Sequence, residues 1–142
     1  MKVQPDLFFE GRCEEAADFY REVLGAEIQF MMRYKDNPEP AKPGMLPAGS
    51  EDRIMHMNLR IGDTQIMASD GMCNGRPEMS GFRLSLELPN TVEAERVYAA
   101  LGEGGQVRMP LAKTFFADAF AMLDDRYGTP WMLIVPAAAP QG

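Results

Sequence analysis

The sequence predicts an α+β protein made of tandem βαβββ repeats, two curved half-barrels paired around a central cavity. Three observations predict this. The order strand, helix, strand, strand, strand occurs twice in 142 residues. Glu15-Ala16 and Tyr20 in the first helix recur as Glu93-Ala94 and Tyr98 in the second. Gly62, in the last hairpin of the first half, is answered by Gly128 in the second. A curved four-stranded sheet with a helix on one side leaves its other face open. Pairing two such units gives that face a partner and encloses a pocket. The length fits one domain (residues 1–142), with a first module over about residues 3–70 and a second over about 81–136.

The elements follow from local pattern. Asp6 to Glu10 is a short apolar stretch ended by Gly11 and reads as a strand. From Cys13 the spacing changes to a helical one: Cys13, Ala16, Ala17, Tyr20, Val23 and Leu24 share one face, and Glu14, Glu15, Asp18, Arg21 and Glu22 the other. Gly11 opens this helix, and Gly25 closes it in a left-handed conformation. A strand from Ala26 to Tyr34 follows. Residues 36–53 contain Pro38, Pro40, Pro43, Pro47, Gly44 and Gly49, so neither helix nor sheet runs through them. Strands at Ile54–Ile61 and Thr64–Ser69 turn at Gly62-Asp63, and a second loop spans Asp70 to Ser80.

The second half repeats this order. Phe82 to Leu88 reads as a strand, and Asn90 with Glu93 as a helix cap with its return partner. Ala94, Val97, Tyr98 and Leu101 form the apolar stripe, with Gly102 after the last turn. Strands at Gln106–Lys113, Phe116–Leu123 and Trp131–Val135 complete the pattern. Alternation puts Trp131 and Met132 on opposite sides of the last strand.

Composition excludes several functions. A formal net charge of −7 argues against nucleic acid, which is held by clustered Lys and Arg, and against anionic membranes. No apolar run approaches the roughly 20 residues of a membrane-spanning helix. The N-terminus lacks the charged and apolar regions of a secretory signal. Two cysteines, Cys13 and Cys73, neither in a CxxC pair, fit reduced thiols and a cytoplasmic location. Twelve Met residues supply core filling and adaptable apolar lining.

The segment from Ala17 to Glu27 resembles the glyoxalase/bleomycin-resistance superfamily, also called vicinal oxygen chelate. Residues 56–62 and 66–70, Lys113-Thr114-Phe115-Phe116-Ala117, and Tyr127 to Met132 point more narrowly to its PhnB-like branch. The likeness covers about residues 3–136. It implies the fold given above, a homodimer, and, in the superfamily's enzymes, a divalent metal held by one side chain from each of four strands. Such a metal chelates adjacent substrate oxygens and acts as a Lewis acid. Spacing to the flanking motifs puts the four positions near Pro5, Met67, Arg83 and Met132. Proline has no side-chain donor, a thioether suits a hard cation poorly, and a guanidinium repels one. The expectation is therefore a pocket without the usual metal and with no cofactor. The branch has also been labelled a methyltransferase acting on a ubiquinone precursor. The sequence shows no glycine-rich loop following a strand in a doubly wound pattern, which such an activity would suggest.

Several residues are candidates for the site, each with a structural reading beside it. His56, the sole histidine, is a candidate general base or single metal ligand, or a hydrogen-bonded strand residue. Asp70 is a candidate to orient His56 or take a proton, and Ser69-Asp70 equally reads as a turn leaving the strand. Arg83 places a cation where a metal would otherwise sit and suits a ligand carboxylate or phosphonate, or pairs with a surface acid. Met67, Phe116 and Met132 are candidate cavity walls, and Ser69 a polar contact. Cys73 has no evident base beside it.

The favoured function is a module that binds a small organic ligand in an apolar cavity. The alternatives are a metal-dependent lyase, isomerase or dioxygenase with a relocated metal involving His56, and a dimeric scaffold with a vestigial pocket.

Overall fold

In the computed structural model, residues 1–39, 42 and 44–137 are described. The chain divides into two compact units, Met1–Glu78 and the remainder from Met79 onward. Each has the element order expected from the sequence.

The first unit runs β1 (Asp6–Phe8), α1 (Cys13–Leu24), β2 (Glu27–Arg33), a single 3-10 turn (Tyr34–Asp36), β3 (Ile54–Ile61) and β4 (Thr64–Ser69). The sheet order is β1-β4-β3-β2, with β1 parallel to β4 and the other pairs antiparallel. Helix α1 forms because its apolar residues recur at helical spacing: Cys13, Ala16, Ala17, Phe19, Tyr20 and Val23 are buried, while Glu14 and Glu15 occupy the first turn. It ends at Gly25, whose φ of 67° lets its N–H reach the Arg21 carbonyl. Its start has no local cap, since the Arg12 side chain accepts nothing. Leu7, Met57, Leu59, Ile66 and Ala68 alternate on the buried side of the sheet, and α1 packs against β3.

The second unit runs β5 (Leu84–Glu87), α2 (Thr91–Gly102), β6 (Gln106–Ala112), β7 (Ala117–Asp124) and β8 (Pro130–Pro136), in the matching order β5-β8-β7-β6. Ala94 of α2 packs with Ala119 and Val135, and Leu88 and Leu111 border the cluster. Asn90 caps α2 by accepting from the Glu93 N–H at 2.8 Å. The expected return bond is replaced: the Glu93 carboxylate binds Arg96 one turn on.

The helix and the central strands lie where the sequence puts them, and the differences are at the ends. Strand β5 is shorter than the predicted Phe82–Leu88, because pairing with β8 begins at Leu84↔Trp131. Gly102 is the last helical residue of α2, and Glu103 follows it as the cap. Phe116 lies in the β6–β7 turn, whose Thr114 accepts from the Ala117 N–H, and β7 starts only at Ala117. Residues 36–53 carry no strand or helix beyond the 3-10 turn among the described residues. Pro40 and Pro43, part of that loop's signature, lie outside them.

The repeat reaches into the irregularities of the sheets. In the first unit Ile28 pairs Leu59 while Phe30 pairs Asn58, so Gln29 is an extra residue in the edge strand. In the second, Val107 pairs Leu123 while Met109 pairs Met122, and the extra residue is Arg108. A bulge of this kind re-aims the side chain it carries.

Candidate functional site: the open sheet faces

Each sheet buries one face under its helix, which leaves the other for function. In the second unit Trp131 pairs Leu84 and Leu123 on the buried side, and its indole N–H donates to Asp125 Oδ2 at 2.9 Å. Alternation then turns Met132, with its partners Ser85 and Met122, to the open side. A cleft of about 540 Å³ lies there, lined by Phe82, Arg83, Ser85, Arg108, Asp124 and Met132 among others. Of the residues inferred as ligand-binding, Arg83 and Met132 line this cleft and Met67 does not.

Arg83 is held in place by protein acceptors. Its Nη1 donates to the Leu123 carbonyl at 3.1 Å, the Trp131 carbonyl at 3.2 Å and Asp124 Oδ1 at 3.0 Å. The second Asp124 oxygen accepts from Arg108 Nε at 2.7 Å. Arg83 and Asp124 are mostly buried, and Arg108 is half exposed. The two readings of Arg83 thus merge: it pairs with an acid and also faces the cleft. Among the described residues its Nε and Nη2 have no protein partner. Phe116 is not part of this cleft; it stacks edge-on between Phe115 and Phe120, 5.1 Å from each.

In the first unit the register pairs Met67 with Asp6 on one side and Asn58 on the other, with Phe30 beyond Asn58. His56 lies two residues from Asn58 on the same face. Its Nε2 sits 3.0 Å from Asn58 Oδ1, and its ring lies 6.1 Å from that of Phe30. Burial pushes the Asp6 carboxyl above its usual range, partly offset by the nearby His56. The polar group beside His56 is therefore Asn58, with Asp6 near, and not Asp70.

Asp70 and Ser69 are structural. The Asp70 side chain is buried, and its oxygens accept from the N–H groups of Gly11 (2.9 Å), Cys13 (2.8 Å) and Ile54 (2.7 Å). It supplies from across the fold the cap that α1 lacks locally, and it ties the helix start to β3. A carboxylate so engaged has no oxygen aimed at a substrate. Ser69 is buried, and its hydroxyl accepts from the Gly71 N–H at 3.0 Å, closing the turn after β4. Burial raises the Cys73 thiol above its usual range, opposing thiolate formation.

The register also tests the residues against a divalent metal. Met67 pairs with Asp6, and Pro5 lies just outside β1, its carbonyl accepting from Met67 N–H at 2.9 Å. The corresponding pair in the second unit is Ser85 with Met132. Taken unit by unit, a carboxylate beside a thioether in the first, and a hydroxyl beside a thioether with Arg83 two residues away in the second, do not fit a hard divalent ion. No group of three or more His, Cys, Asp or Glu among the described residues is arranged to hold one.

Sequence reasoning missed Asp6, Asn58, Ser85, Arg108 and Asp124. Ser85 was within reach, since it follows Arg83 by one strand period. The others needed the register and the bulge.

Two four-stranded units of βαβββ order, each with a helix on one face and polar side chains on the other, define a glyoxalase/bleomycin-resistance/dioxygenase-type fold. A glyoxalase/bleomycin resistance protein/dioxygenase from Alicyclobacillus acidocaldarius shares it (TM-score 0.53 at 12% identity, covering 96% of this chain and 89% of that one), a likeness of fold alone. A family model described as 3-demethylubiquinone-9 3-methyltransferase matches residues 1–134, and the chain belongs to that family, the PhnB-like one. Protein YjdN of Escherichia coli is 33% identical over 145 residues, 99% of each chain. The crystal structure of PA1353 from Pseudomonas aeruginosa superposes with a TM-score of 0.82 at 39% identity, covering 96% of this chain and 98% of that one. A PhnB protein from Bacillus cereus gives 0.77 at 28%, covering 95% and 99%. No helix among the described residues is long and apolar enough to cross a membrane.

Proposed function

We propose that the protein binds a small organic ligand on the open face of its second sheet, without the divalent metal usual in the superfamily. The observation that carries this is the cleft of about 540 Å³ into which Arg83, Ser85 and Met132 are brought together. Its size is that of a small-molecule site, and it combines apolar walls with a few fixed polar groups. Arg83 stands beside the position where a metal ligand would be needed. A ligand is then gripped by hydrogen bonds and apolar contact. The family's description carries a methyltransferase activity. Our reading differs because the sheets are mixed four-stranded units, not a doubly wound parallel sheet with a glycine-rich turn leading into a helix.

Thermal-shift screening tests the proposal. A ligand at a hundred times its Kd stabilises the folded state by about 2.7 kcal/mol, which raises the melting temperature by several degrees. The shift is expected to vanish in Met132→Glu, which puts a carboxylate on the wall of the cleft that Arg83 and Arg108 line, where it competes with the ligand. A hit whose shift survives this substitution binds elsewhere and contradicts the assignment.

A second reading rests on a different observation. His56 and Asn58, with Asp6 near, form a polar group on the open face of the first unit suited to taking a proton from a bound substrate. It predicts turnover that His56→Ala abolishes and His56→Gln does not restore.

A further inference from the structure

The internal repeat supplies a control for the cleft. Counted from the matched pairs Asp6–Met67 and Ser85–Met132, Gln4 falls where Arg83 does, and the bulge residue Gln29 falls where Arg108 does. In the first unit these positions carry no charge of their own and are joined through the Gln65 amide, whose oxygen also accepts from the exposed Lys2 ammonium at 3.3 Å. Gln4 Nε2 donates to Gln65 Oε1 at 3.1 Å, and Gln65 Nε2 donates to Gln29 Oε1 at 2.5 Å. The fold is thus satisfied by glutamines at both places. In the second unit the same places hold two guanidinium groups sharing the Asp124 carboxylate.

From this comparison we infer that the cleft is specific for a monoanion, a small organic carboxylic acid with an apolar body. The inference rests on the reading that the cleft binds a ligand. Two arginines and one aspartate leave a single uncompensated positive charge, and no other charged residue among the described ones lines the cleft. One carboxylate completes the balance, while a dianion overshoots it and a neutral molecule leaves it unfilled. The site is also organised in advance. The Leu123 and Trp131 carbonyls and Asp124 hold Arg83 in place, so little side-chain entropy is lost on binding. Planar guanidinium suits carboxylate, and the Ser85 hydroxyl lies on the same wall. Phe82, Met79 and Met132 receive the apolar body. In a chain of net charge −7 such a local positive centre stands out against its surroundings.

The test compares matched acids and neutral amides by calorimetry: benzoate with benzamide, hexanoate with hexanamide, indole-3-acetate with its amide, and phenylphosphonate as the dianion. At least one acid is expected to bind about tenfold or more tightly than its amide, and benzoate more tightly than phenylphosphonate at pH 8. Arg83→Gln with Arg108→Gln and Asp124→Asn, which removes both guanidinium groups together with the carboxylate they share, should remove the preference in a variant whose circular dichroism shows it still folded. Asp124→Asn, which leaves two positive charges, should reverse the order of benzoate and phenylphosphonate. Acid and amide binding equally, with both lost in Met132→Glu, would overturn the charge inference and leave the binding reading standing. Absence of binding by every probe would overturn both.

Discussion

Replacing Asp70 with alanine is predicted to cost about 3–5 kcal/mol of folding stability and to leave ligand binding intact. The figure follows from the three backbone donors its carboxylate satisfies. The Cys13 and Ile54 N–H groups are buried and the Gly11 N–H partly so, which leaves two donors without water to turn to. Each orphaned buried donor costs about 1–3 kcal/mol, and the solvent-reachable one less. Asp70→Asn keeps one acceptor but turns an amide N–H toward a backbone N–H, so it should lose about 2–3 kcal/mol. Urea unfolding followed by far-ultraviolet circular dichroism reads these values by linear extrapolation. The expected loss is a large fraction of the about 5–15 kcal/mol typical of a native domain. A catalytic aspartate behaves in the opposite way, since removing a strained active-site group is commonly neutral or stabilising. A loss under about 1 kcal/mol, or a gain, would refute the structural assignment.

Asp125→Ala should destabilise the second unit by about 2–4 kcal/mol, since its carboxylate accepts from two backbone N–H groups and the indole of Trp131; the fluorescence of this single tryptophan reports it as a red shift, and an unmoved spectrum counts against the contact. Gly25→Ala forces a Cβ into a left-handed conformation at φ 67° and should cost about 1 kcal/mol in the same unfolding assay, whereas no change would question the helix end. The Asp6 carboxyl is raised in the folded state, so native Asp6 holds its proton to higher pH than the unfolded chain. Its contribution is therefore lost as pH rises from the ordinary carboxylate range through the higher folded value. Asp6→Asn should thus stabilise slightly at neutral pH, with the gain fading as pH falls through the carboxylate range, and a gain that grows on acidification would contradict the sign. A thiol reagent should label Cys73 before Cys13, the latter fully buried with its thiol raised mainly by that burial; the reverse order, read by mass spectrometry, would contradict it.

The fold was legible because it rests on short-range rules. Strands β3 and β4 coincide with their apolar alternation and α1 with its helical spacing, and the repeated order implied a repeated architecture. What stayed hidden depended on register. Asp70 follows a strand and looks like a turn residue or a catalytic one, and its role emerges only when Gly11, Cys13 and Ile54 arrive from three places in the chain. Arg108 reads as one more polar residue in β6 until the bulge re-aims it at Asp124. Phe116 was misplaced for a related reason. Its aromatic neighbourhood suggests a strand, but Thr114 closes the turn on Ala117 and pushes the strand start past it. That Trp131 and Met132 lie on opposite sides of β8 was legible because alternation is a local signal.

The claim that the ligand is held without a metal has a direct measurement. The protein would be dialysed against EDTA, and the affinity of the best carboxylate from the calorimetric panel compared before and after reloading with Zn, Ni, Mn or Fe. Affinity unchanged within about twofold is predicted, since on the proposed reading the carboxylate meets Arg83 and Arg108, which Asp124 holds in place. Tightening by tenfold or more on reloading, removed by His56→Ala, would contradict the account and point to a metal relocated to the first unit.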